Sequence, residues 1–566
     1  MTKILITSAL PYINGVKHLG NLIGSLLPAD VHARFRRQLG DEVLFICATD
    51  EHGTPAELGA IAAGQDVRAY CDAQHAIQAD VYRRFGLSFE HFGRTSAPQN
   101  HALTQHFYRR LDAAGLIEER SVRQVWSAQD RRFLPDRYVR GTCPHCRSEA
   151  ARGDQCDDCG ALLDPVDLVR PRSALSGATN LELRESRHLF LRQSALVDRL
   201  GKWLDTRDGW PPFVTSLARS WLTADLRDRC ITRDLAWGVP VPRPGFDGKV
   251  FYVWFDAPIG YIAATQEWAE LDAGRDWRDW WQRDDVRYLQ FLGKDNVPFH
   301  TVSFPATLIG SGEPWKTVDV VKGFHWLTHQ GGKFSTSRGR GIFTDAALEE
   351  LPADLWRWWL IANAPESADT DFSISRFAAD TNKDLADVFG NLVNRAFRFT
   401  ERTFAGRVPD FGEPGEREHA LAAEIGERVA RLRAHHEALE FRRAAAETRA
   451  IWVRANAFLQ DAAPWTGFSS NPARAAAATR TALNLIRLSA AVAWSIIPGI
   501  AGRVLAAFGE HDDVPRWPAC ADVLSNAAAG RPIAPIGLLV DKIGDDHVAR
   551  LEQRFGGADR IADRPG

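Results

Sequence analysis

The sequence of 566 residues has no apolar stretch long enough to cross a membrane. The most apolar segment, Leu488 to Gly502, is shorter than the ~20 residues that a membrane-spanning helix needs, and Pro498 interrupts it. The N-terminal segment holds a single lysine, Lys3, and enters an apolar run without a cleavage-site pattern. We therefore expect a buried bundle helix at Leu488 to Gly502, no secretory leader, no membrane contact and a cytoplasmic protein.

The net charge is small, and the chain has few cysteines. A formal charge of -3 gives no general attraction to nucleic acid, so RNA contacts would have to come from local patches such as the run from Arg428 to Arg454. A solvated helix face is an equally good interpretation of that run. Four of the eight cysteines, Cys47, Cys71, Cys230 and Cys520, lie far apart, which is typical of free buried thiols in a reducing compartment.

The sequence does contain alternating strand and helix patterns, which a Cys- and Asp-rich section interrupts. The apolar runs "KILITS" and "VLFICA" predict strands, and the helical pattern between them ends at Gly40. Strand-like runs resume at "GKVFYVWFDA" and "RYLQFLG" after a Cys- and Asp-rich section. This alternation predicts a split, Rossmann-like parallel sheet, and polar clusters after Ser8, Ala48, Phe255 and Leu292 predict one site at its carboxyl edge.

The composition shifts along the chain predict several domains, as expected for this length. Beyond residue 385 the chain becomes Ala- and Leu-rich with helical periodicity, which indicates an all-α bundle. We predict a first catalytic half at 1–116, an insertion at 117–240, a second catalytic half at 241–325, a loop region at 326–387, a helical bundle at 388–510 and a tail at 511–566.

The insertion carries two CxxC turns, "CPHC" and "CDDC". Their thiolates are Cys143, Cys146, Cys156 and Cys159. Four thiolates in two such turns suit a tetrahedral Zn²⁺ ion with no open coordination position. Unliganded surface cysteines and a redox pair are the alternatives.

Two short loops suggest phosphate binding, although each is weak alone. "HLGN" at His18 to Asn21 lies between a predicted strand and a helix, where backbone amides and the helix dipole favour phosphate. "KFSTS" at Lys333 to Ser337 lies among glycines and could equally be a surface turn.

Together the two loops resemble the "HIGH" and "KMSKS" signatures of class I aminoacyl-tRNA synthetases. "ALPYINGVKHLGN", "CATDEHGTP", "FYVWFDAPIGY" and "GKDNVPFH" resemble the methionine-specific branch of that family over roughly residues 3 to 510. The resemblance implies an ATP-dependent ligase that activates methionine with Mg²⁺ and ATP and transfers it to tRNA(Met). It also implies a structural zinc ion at the CxxC turns.

The resemblance implies a set of site residues for each ligand. For catalysis and ATP binding these are His18, Gly20, Asn21, Lys333, Ser335, Thr336 and Ser337. For methionine they are Leu10, Tyr12, Asp50, Trp254, Ala257, Pro258, Tyr261, Asn296 and His300, with Asp50 holding the ammonium. For the anticodon they are Asn391, Arg395 and Trp465, because amides and guanidinium groups can read base edges and an indole can stack on an unstacked base. Core packing and helix capping are the alternatives for the aromatic and Asn residues.

The sequence departs from the family pattern at two positions. Asn21 replaces the final His of the first signature and still donates a hydrogen bond. Thr336 replaces the second lysine of the second signature, and a hydroxyl cannot supply its charge. We hypothesise that Arg338 or Arg340 compensates. An impaired paralogue that acts as a methionine or RNA sensor is the alternative function, and the short tail favours a monomer.

Overall fold

The chain is described here by a computed structural model that covers residues 2–154, 156, 158–159, 161, 163–223, 226–334 and 340–556. At its centre is a five-stranded parallel sheet. We label its strands β1 (Lys3–Ser8), β2 (Glu42–Thr49), β3 (His91–Arg94), β4 (Val286–Gly293) and β5 (Val320–Phe324).

The spatial order of the strands is β5-β4-β1-β2-β3. Strands β1 to β3 progress in one direction and β4 to β5 in the other, so the order reverses between β1 and β4. At such a switch point the loops that leave the carboxyl ends of the strands diverge and open a crevice. The central strands are buried almost throughout, as both faces of a doubly wound sheet should be.

Helices cover both faces of this sheet. Those of the first half are Leu19–Asn21, Leu27–Gln38, Thr54–Ala62, Val67–Arg84 and Pro98–Ala113, and a π-helical turn at Leu22–Leu26 joins the first two. Those of the second half are Val253–Asp256, Gly260–Glu270, Arg278–Trp281 and Phe304–Gly310, the last preceded by a π-helical turn at Phe299–Ser303. The predicted strand "GKVFYVWFDA" is therefore largely wrong, because only Val250–Phe251 is extended.

In the described residues, the insertion between Ala113 and Val253 contains two larger antiparallel sheets, a two-stranded pairing of Thr232–Arg233 with Val250–Phe251, and two helices. Its larger sheet pairs Ile117–Ser127 with Leu181–Leu191 and adds Arg132–Phe133 and Arg229–Cys230 at the edges. Its smaller sheet contains Val139–Thr142, Ala151–Arg152 and Val169–Ser173. The helices are Val197–Asp205 and Pro212–Thr223.

After β5 the chain forms a small sheet and then the helical bundle. The sheet contains Leu327–His329, Gly332–Lys333 and Thr370–Phe372. The helices are Thr344–Glu350, Ala353–Ala362, Ile374–Thr381, Asn391–Phe404, Glu416–Glu437, Phe441–Ala462, Pro464–Gly467, Pro472–Ala493, Pro498–Ala507 and Asp545–Phe555, with a π-helical segment at Asn382–Gly390. No helix in the described ranges is long and apolar enough to span a bilayer.

One continuous hydrophobic core joins the sheet domain to the bundle. A buried ion pair pins the junction: Arg357 lies 2.6 Å from Asp30 and donates at 2.7 Å to the carbonyl oxygen of Ile496. Both charged side chains are fully buried, so their mutual pairing is what makes their burial tolerable. The bundle is thereby fixed on the helix that begins at the crevice.

Candidate active site

A cavity of about 300 Å³ opens at the switch point of the sheet. Its walls come from the segments that follow β1, β4 and β5, as the strand order predicts. Predicted residues that line it are Leu10, Tyr12, His18, Gly20, Asn21, Asn296 and Lys333. The two signature loops therefore meet at one cavity although they are far apart in sequence.

His18 is fixed in one tautomer at the start of the helix. It is the residue before Leu19–Asn21, and its Nδ1 accepts a hydrogen bond from the Asn21 N–H at 3.1 Å. Burial, with Lys17 close by, lowers the pKa of His18 to about 3. At neutral pH the ring is therefore uncharged, and its remaining proton must be on Nε2.

Close packing explains the glycine of this signature. A Cβ atom on Gly20 would lie 3.0 Å from His18 Nδ1 and 3.6 Å from Phe334 Cβ. Phe334, from the second signature, packs beside the His18 ring with 5.1 Å between centroids. The two loops thus touch through His18 and Phe334, and Gly20 leaves the room for that contact.

The second signature is described only up to Phe334. Lys333 ends a two-residue strand, and its Nζ lies 3.7 Å from the centroid of the Trp326 ring. Ser335, Thr336, Ser337 and Arg338 lie outside the described residues. Arg340 donates to the carbonyl oxygen of His329 at 3.2 Å and does not line the cavity.

Asp50 follows β2 and lies under the first loop. Its backbone N–H donates to Pro11 at 2.9 Å, and its carbonyl oxygen accepts from Ile13 at 2.9 Å. Its buried Oδ1 has no hydrogen-bond partner within the described part of the chain. Burial, with Asp256 and Glu51 nearby, raises the pKa of Asp50 well above its usual range. An ammonium ligand would relieve this cost.

The aromatic residues predicted for methionine form a wall beside the cavity. Trp254 stacks on Phe299 with 3.7 Å between centroids and meets Tyr12 edge-on at 6.3 Å. Trp254 and Pro258 line a second, smaller cavity of about 20 Å³. Asp50, Ala257, Tyr261 and His300 line neither of these two cavities.

Tyr261 and His300 form a hydrogen bond with each other behind this wall. His300 Nδ1 lies 2.9 Å from the carbonyl oxygen of Asn296, and its Nε2 lies 3.0 Å from the Tyr261 hydroxyl. Burial lowers the pKa of His300 to about 4, so the ring is neutral at pH 7. Because the carbonyl can only accept, Nδ1 donates to it, and Nε2 accepts from Tyr261.

The sequence motifs did not predict several residues that line the cavity. Lys17, Asn14, Arg137, Arg152, Asp295, His325 and Trp326 all line the cavity. Arg137 and Arg152 come from the insertion, and Arg137 lies over the Tyr12 ring at 5.6 Å. Lys17 had a usable signal, because it is a lone lysine directly before His18 in the signature loop. Arg137 and Arg152 had no such signal in the sequence, because only the folding of the insertion brings them to the cavity.

The four cysteines of the insertion converge on one point. Their sulfur atoms lie within 4.8 Å of one another, at 3.9 Å for Cys143 to Cys159 and 3.6 Å for Cys146 to Cys156. Ligands at about 2.3 Å in a tetrahedron would be about 3.8 Å apart. Backbone N–H groups, that of Cys146 first, lower the pKa of Cys143, which favours the thiolate of that residue. The cluster therefore fits one tetrahedral metal ion.

Comparison with known proteins gives the same family throughout the chain. Residues 4–397 match the model of the family described as tRNA synthetases class I (M), and residues 408–560 match the anticodon binding domain of methionyl tRNA ligase. The chain belongs to the methionine–tRNA ligases.

Individual relatives support the assignment. The methionine–tRNA ligase of Caulobacter vibrioides is 57% identical over 570 residues, which is 99% of this chain and 100% of that protein. That of Ruegeria sp. is 55% identical over 571 residues, 98% of this chain and 99% of its own. A structure of Mycobacterium tuberculosis methionyl-tRNA synthetase in complex with methionyl-adenylate superposes with a TM-score of 0.77 at 25% identity, over 95% of this chain and 99% of that chain.

The predictions of the family, of the fold and of an ATP-dependent ligase are thus confirmed. The chain is an aminoacyl-tRNA synthetase of the methionine type, with a split parallel-sheet domain, a four-cysteine insertion and a helical anticodon-binding domain. None of these comparisons supports the alternative of a sensor without activity.

The three residues predicted to read the anticodon lie on the helical part of this ligase. Asn391 begins the helix Asn391–Phe404, and Arg395 follows one turn later on the same face. The Arg395 guanidinium lies 4.8 Å from the centroid of the Trp465 ring and donates to Gln460 at 2.7 Å. Trp465 keeps 37% of its surface exposed. The cluster leaves an aromatic face and polar groups open to solvent.

Proposed function

We propose that the 300 Å³ cavity is the place where this ligase forms methionyl-adenylate. The observation that carries the proposal is that His18 and Lys333, from the two signature loops, line the same cavity at the switch point of the sheet. The methionine carboxylate would attack the α-phosphorus of ATP. A new C–O–P bond forms, the bond from the α-phosphorus to the bridging oxygen breaks, and pyrophosphate leaves with the electron pair.

The first loop supplies neutral donors for this step. Nε2–H of His18 is available because Nδ1 is occupied by the Asn21 N–H. Gly20 lets the backbone approach the phosphates closely, and Asn21 adds an amide. Because the carboxylate is already a nucleophile, the residues need only orient the reactants and stabilise charge on the phosphate oxygens. Lys333, Ser335, Thr336 and Ser337 of the second loop would contact the triphosphate, and Mg²⁺ would accompany ATP and share its charge.

Methionine would bind across the first loop and the aromatic wall. Asp50 is the proposed partner of the substrate ammonium, because its Oδ1 is buried without a hydrogen-bond partner in the described residues. Leu10, Tyr12, Trp254, Ala257 and Pro258 would surround the thioether. Tyr261 and His300 satisfy each other, so they offer little to a polar side chain, which favours selection by shape.

In the second step a terminal ribose hydroxyl of tRNA(Met) would attack the methionyl carbonyl carbon of the adenylate. The new ester bond forms while the bond from that carbon to the phosphate oxygen breaks, AMP leaves with the electron pair, and the hydroxyl proton passes to the AMP phosphate or to solvent. The anticodon loop would be read by Asn391, Arg395 and Trp465. An exposed indole suits stacking of an unpaired base, which contributes about 1–3 kcal/mol. Arg395 already packs against that indole, so the two side chains would act as one surface.

We further propose that the metal ion of the cysteine cluster is Zn²⁺ with a structural role. Four sulfur ligands leave no open position for a substrate. Purified protein should contain about one zinc per chain by elemental analysis, and Cys146→Ser should lower that content. An equal content in Cys146→Ser, or iron in place of zinc, would contradict the assignment.

A monomeric state and a cytoplasmic location are proposed on chemical grounds only. All residues proposed above for the cavity, the cysteine cluster and the anticodon surface belong to a single chain, and tRNA charging serves translation in the cytoplasm. Light scattering during size-exclusion chromatography would test the first, and cell fractionation the second.

Aminoacylation with defined transcripts tests the proposed function. Labelled methionine should be esterified to a tRNA(Met) transcript that carries the CAU anticodon. Charging should fall by at least about tenfold when one anticodon base is changed, since each stacked or paired base contributes a few kcal/mol. Equal charging of both transcripts would contradict the proposed anticodon surface.

A further inference from the structure

The basic side chains around the cavity make different contacts. Arg137 donates to Asp154 at 2.6 Å. Lys333 and the neighbouring Lys294 lie on the Trp326 ring, each at 3.7 Å, and Lys294 also pairs with Asp369 at 2.8 Å. Lys17 instead donates to the amide oxygen of Asn14 at 2.9 Å, and within the described ranges it has no carboxylate in ion-pair distance.

Lys17 is nevertheless buried. Its side chain lines the cavity, and the residue is only 4% exposed. Burial lowers the pKa of Lys17 to about 7, and the more distant Asp50 only partly opposes this. A buried ammonium without a paired anion costs folding free energy, and natural chains keep such groups where a ligand completes the pairing.

The position of Lys17 indicates which ligand that is. Lys17 directly precedes His18, and both residues line the same cavity. The charge of Lys17 contributes to the lowered pKa of His18. The Lys17 carbonyl oxygen accepts from the Thr344 N–H at 2.9 Å and from the Thr344 hydroxyl at 2.8 Å, which fixes the backbone. The next residues open a helix that continues through a π-helical turn to Gln38, and such an N-terminus favours phosphate.

We propose that Lys17 binds the triphosphate of ATP and stabilises the charge on the departing pyrophosphate, in place of the cation that Thr336 cannot provide. This rests on the proposed function of the cavity. No proton is transferred: the ammonium donates hydrogen bonds to phosphate oxygens while the bond between the α-phosphorus and the bridging oxygen breaks. It also replaces our hypothesis for Arg340, which is engaged at His329.

The first test compares activity with stability in Lys17→Met. In methionine-dependent ATP–pyrophosphate exchange, kcat should fall about 10²- to 10³-fold, the usual loss for one preorganised charge-stabilising donor. KM for ATP should rise, and KM for methionine should not change. The thermal midpoint should stay equal or increase, because an unpaired buried charge has been removed. Lys17→Arg should retain more activity than Lys17→Met.

The second test is reciprocal rescue. Thr336→Lys should restore most of the exchange rate that Lys17→Met has lost, because one cation would replace the other. The matched control is Lys202→Met, which removes an exposed lysine on the helix Val197–Asp205 and should leave exchange unchanged.

Three outcomes would overturn the inference while the proposed function stands. They are a wild-type rate in Lys17→Met, a change confined to KM for methionine, and a loss of activity that follows a loss of thermal stability. Absence of exchange in the wild type itself would instead refute the proposed function.

Discussion

The cavity and the proposed anticodon-binding face hold their polar side chains in opposite environments. Lys17 and His18 line the cavity, Asp50 lies under the first loop beside it, and all three are buried. Burial lowers the pKa of Lys17 and of His18 and raises that of Asp50, so each shift favours the uncharged form. On the bundle, Trp465 is 37% exposed, and Arg395 already has Gln460 as a partner.

This difference predicts different consequences of mutation. A buried ionisable group without a close partner lowers stability but interacts strongly with a ligand, because little water screens the contact. An exposed ring costs the fold little and gains a modest stacking energy. Cavity substitutions should therefore reduce activity while preserving or raising stability, whereas substitutions on the bundle face should mainly weaken tRNA binding.

The largest effect is expected for Asp50→Asn. Loss of the buried carboxylate should lower kcat/KM for methionine by about 10²- to 10³-fold, since truncating a buried charged pair costs several kcal/mol. The thermal midpoint should not fall, because ionised Asp50 is held beside Asp256 and Glu51. Exchange kinetics at varied methionine, with a melting curve on the same sample, measure both. A parallel loss of stability and activity would remove the contrast between the two regions.

A smaller effect is expected for Trp465→Ala and Arg395→Ala. Each should raise KM for tRNA by about 5- to 150-fold, in line with about 1–3 kcal/mol for a stacked base, and leave exchange unchanged. Because Arg395 packs on Trp465, the double variant should lose less than the sum of the two free energies. Full additivity between them would contradict the shared surface.

The smallest effect is expected at the junction between the sheet domain and the helical bundle. His436 of the bundle stacks on Phe35, at 4.7 Å between centroids, and Phe35 lies on the helix Leu27–Gln38. Burial lowers the pKa of His436 to about 3. Its ordinary pKa in the unfolded chain is about 6.5, so below that pH the unfolded state binds a proton that the folded state does not.

The stability contributed by neutral His436 is therefore full above about pH 6.5 and is lost as the pH falls. At pH 8 the free energy of unfolding of His436→Phe should lie within about 1 kcal/mol of the wild-type value. Between pH 8 and pH 5 the variant should lose about 1–2 kcal/mol less of this free energy than the wild type does. Urea unfolding at both pH values measures this. Equal acid sensitivity of the two proteins would show that His436 is not a neutral buried group.

Much of the fold could be predicted from the sequence, but unevenly. "KILITS" and "VLFICA" are continuous apolar runs with flanking polar loops, and both became strands of the central sheet. "GKVFYVWFDA" has the same appearance, yet Val253–Asp256 is helical, because a short apolar run does not distinguish a buried strand from a buried helix.

The residues that line the cavity and form the cysteine cluster were predictable where they lie within motifs. His18, Gly20 and Asn21 are together in sequence, and the two CxxC turns carry their spacing with them. Arg137 and Arg152 reach the cavity only because the insertion folds over it, which no local pattern encodes. The burial of Lys17 likewise depends on distant segments such as the one that contains Thr344.

The most direct test of the central claim is ATP–pyrophosphate exchange without tRNA, run with methionine, leucine and cysteine on the wild type and on Trp465→Ala. We predict exchange with methionine alone, at equal rates in both proteins, because adenylate forms in the cavity without the anticodon face. No exchange with methionine, or exchange that disappears in Trp465→Ala, would contradict this account.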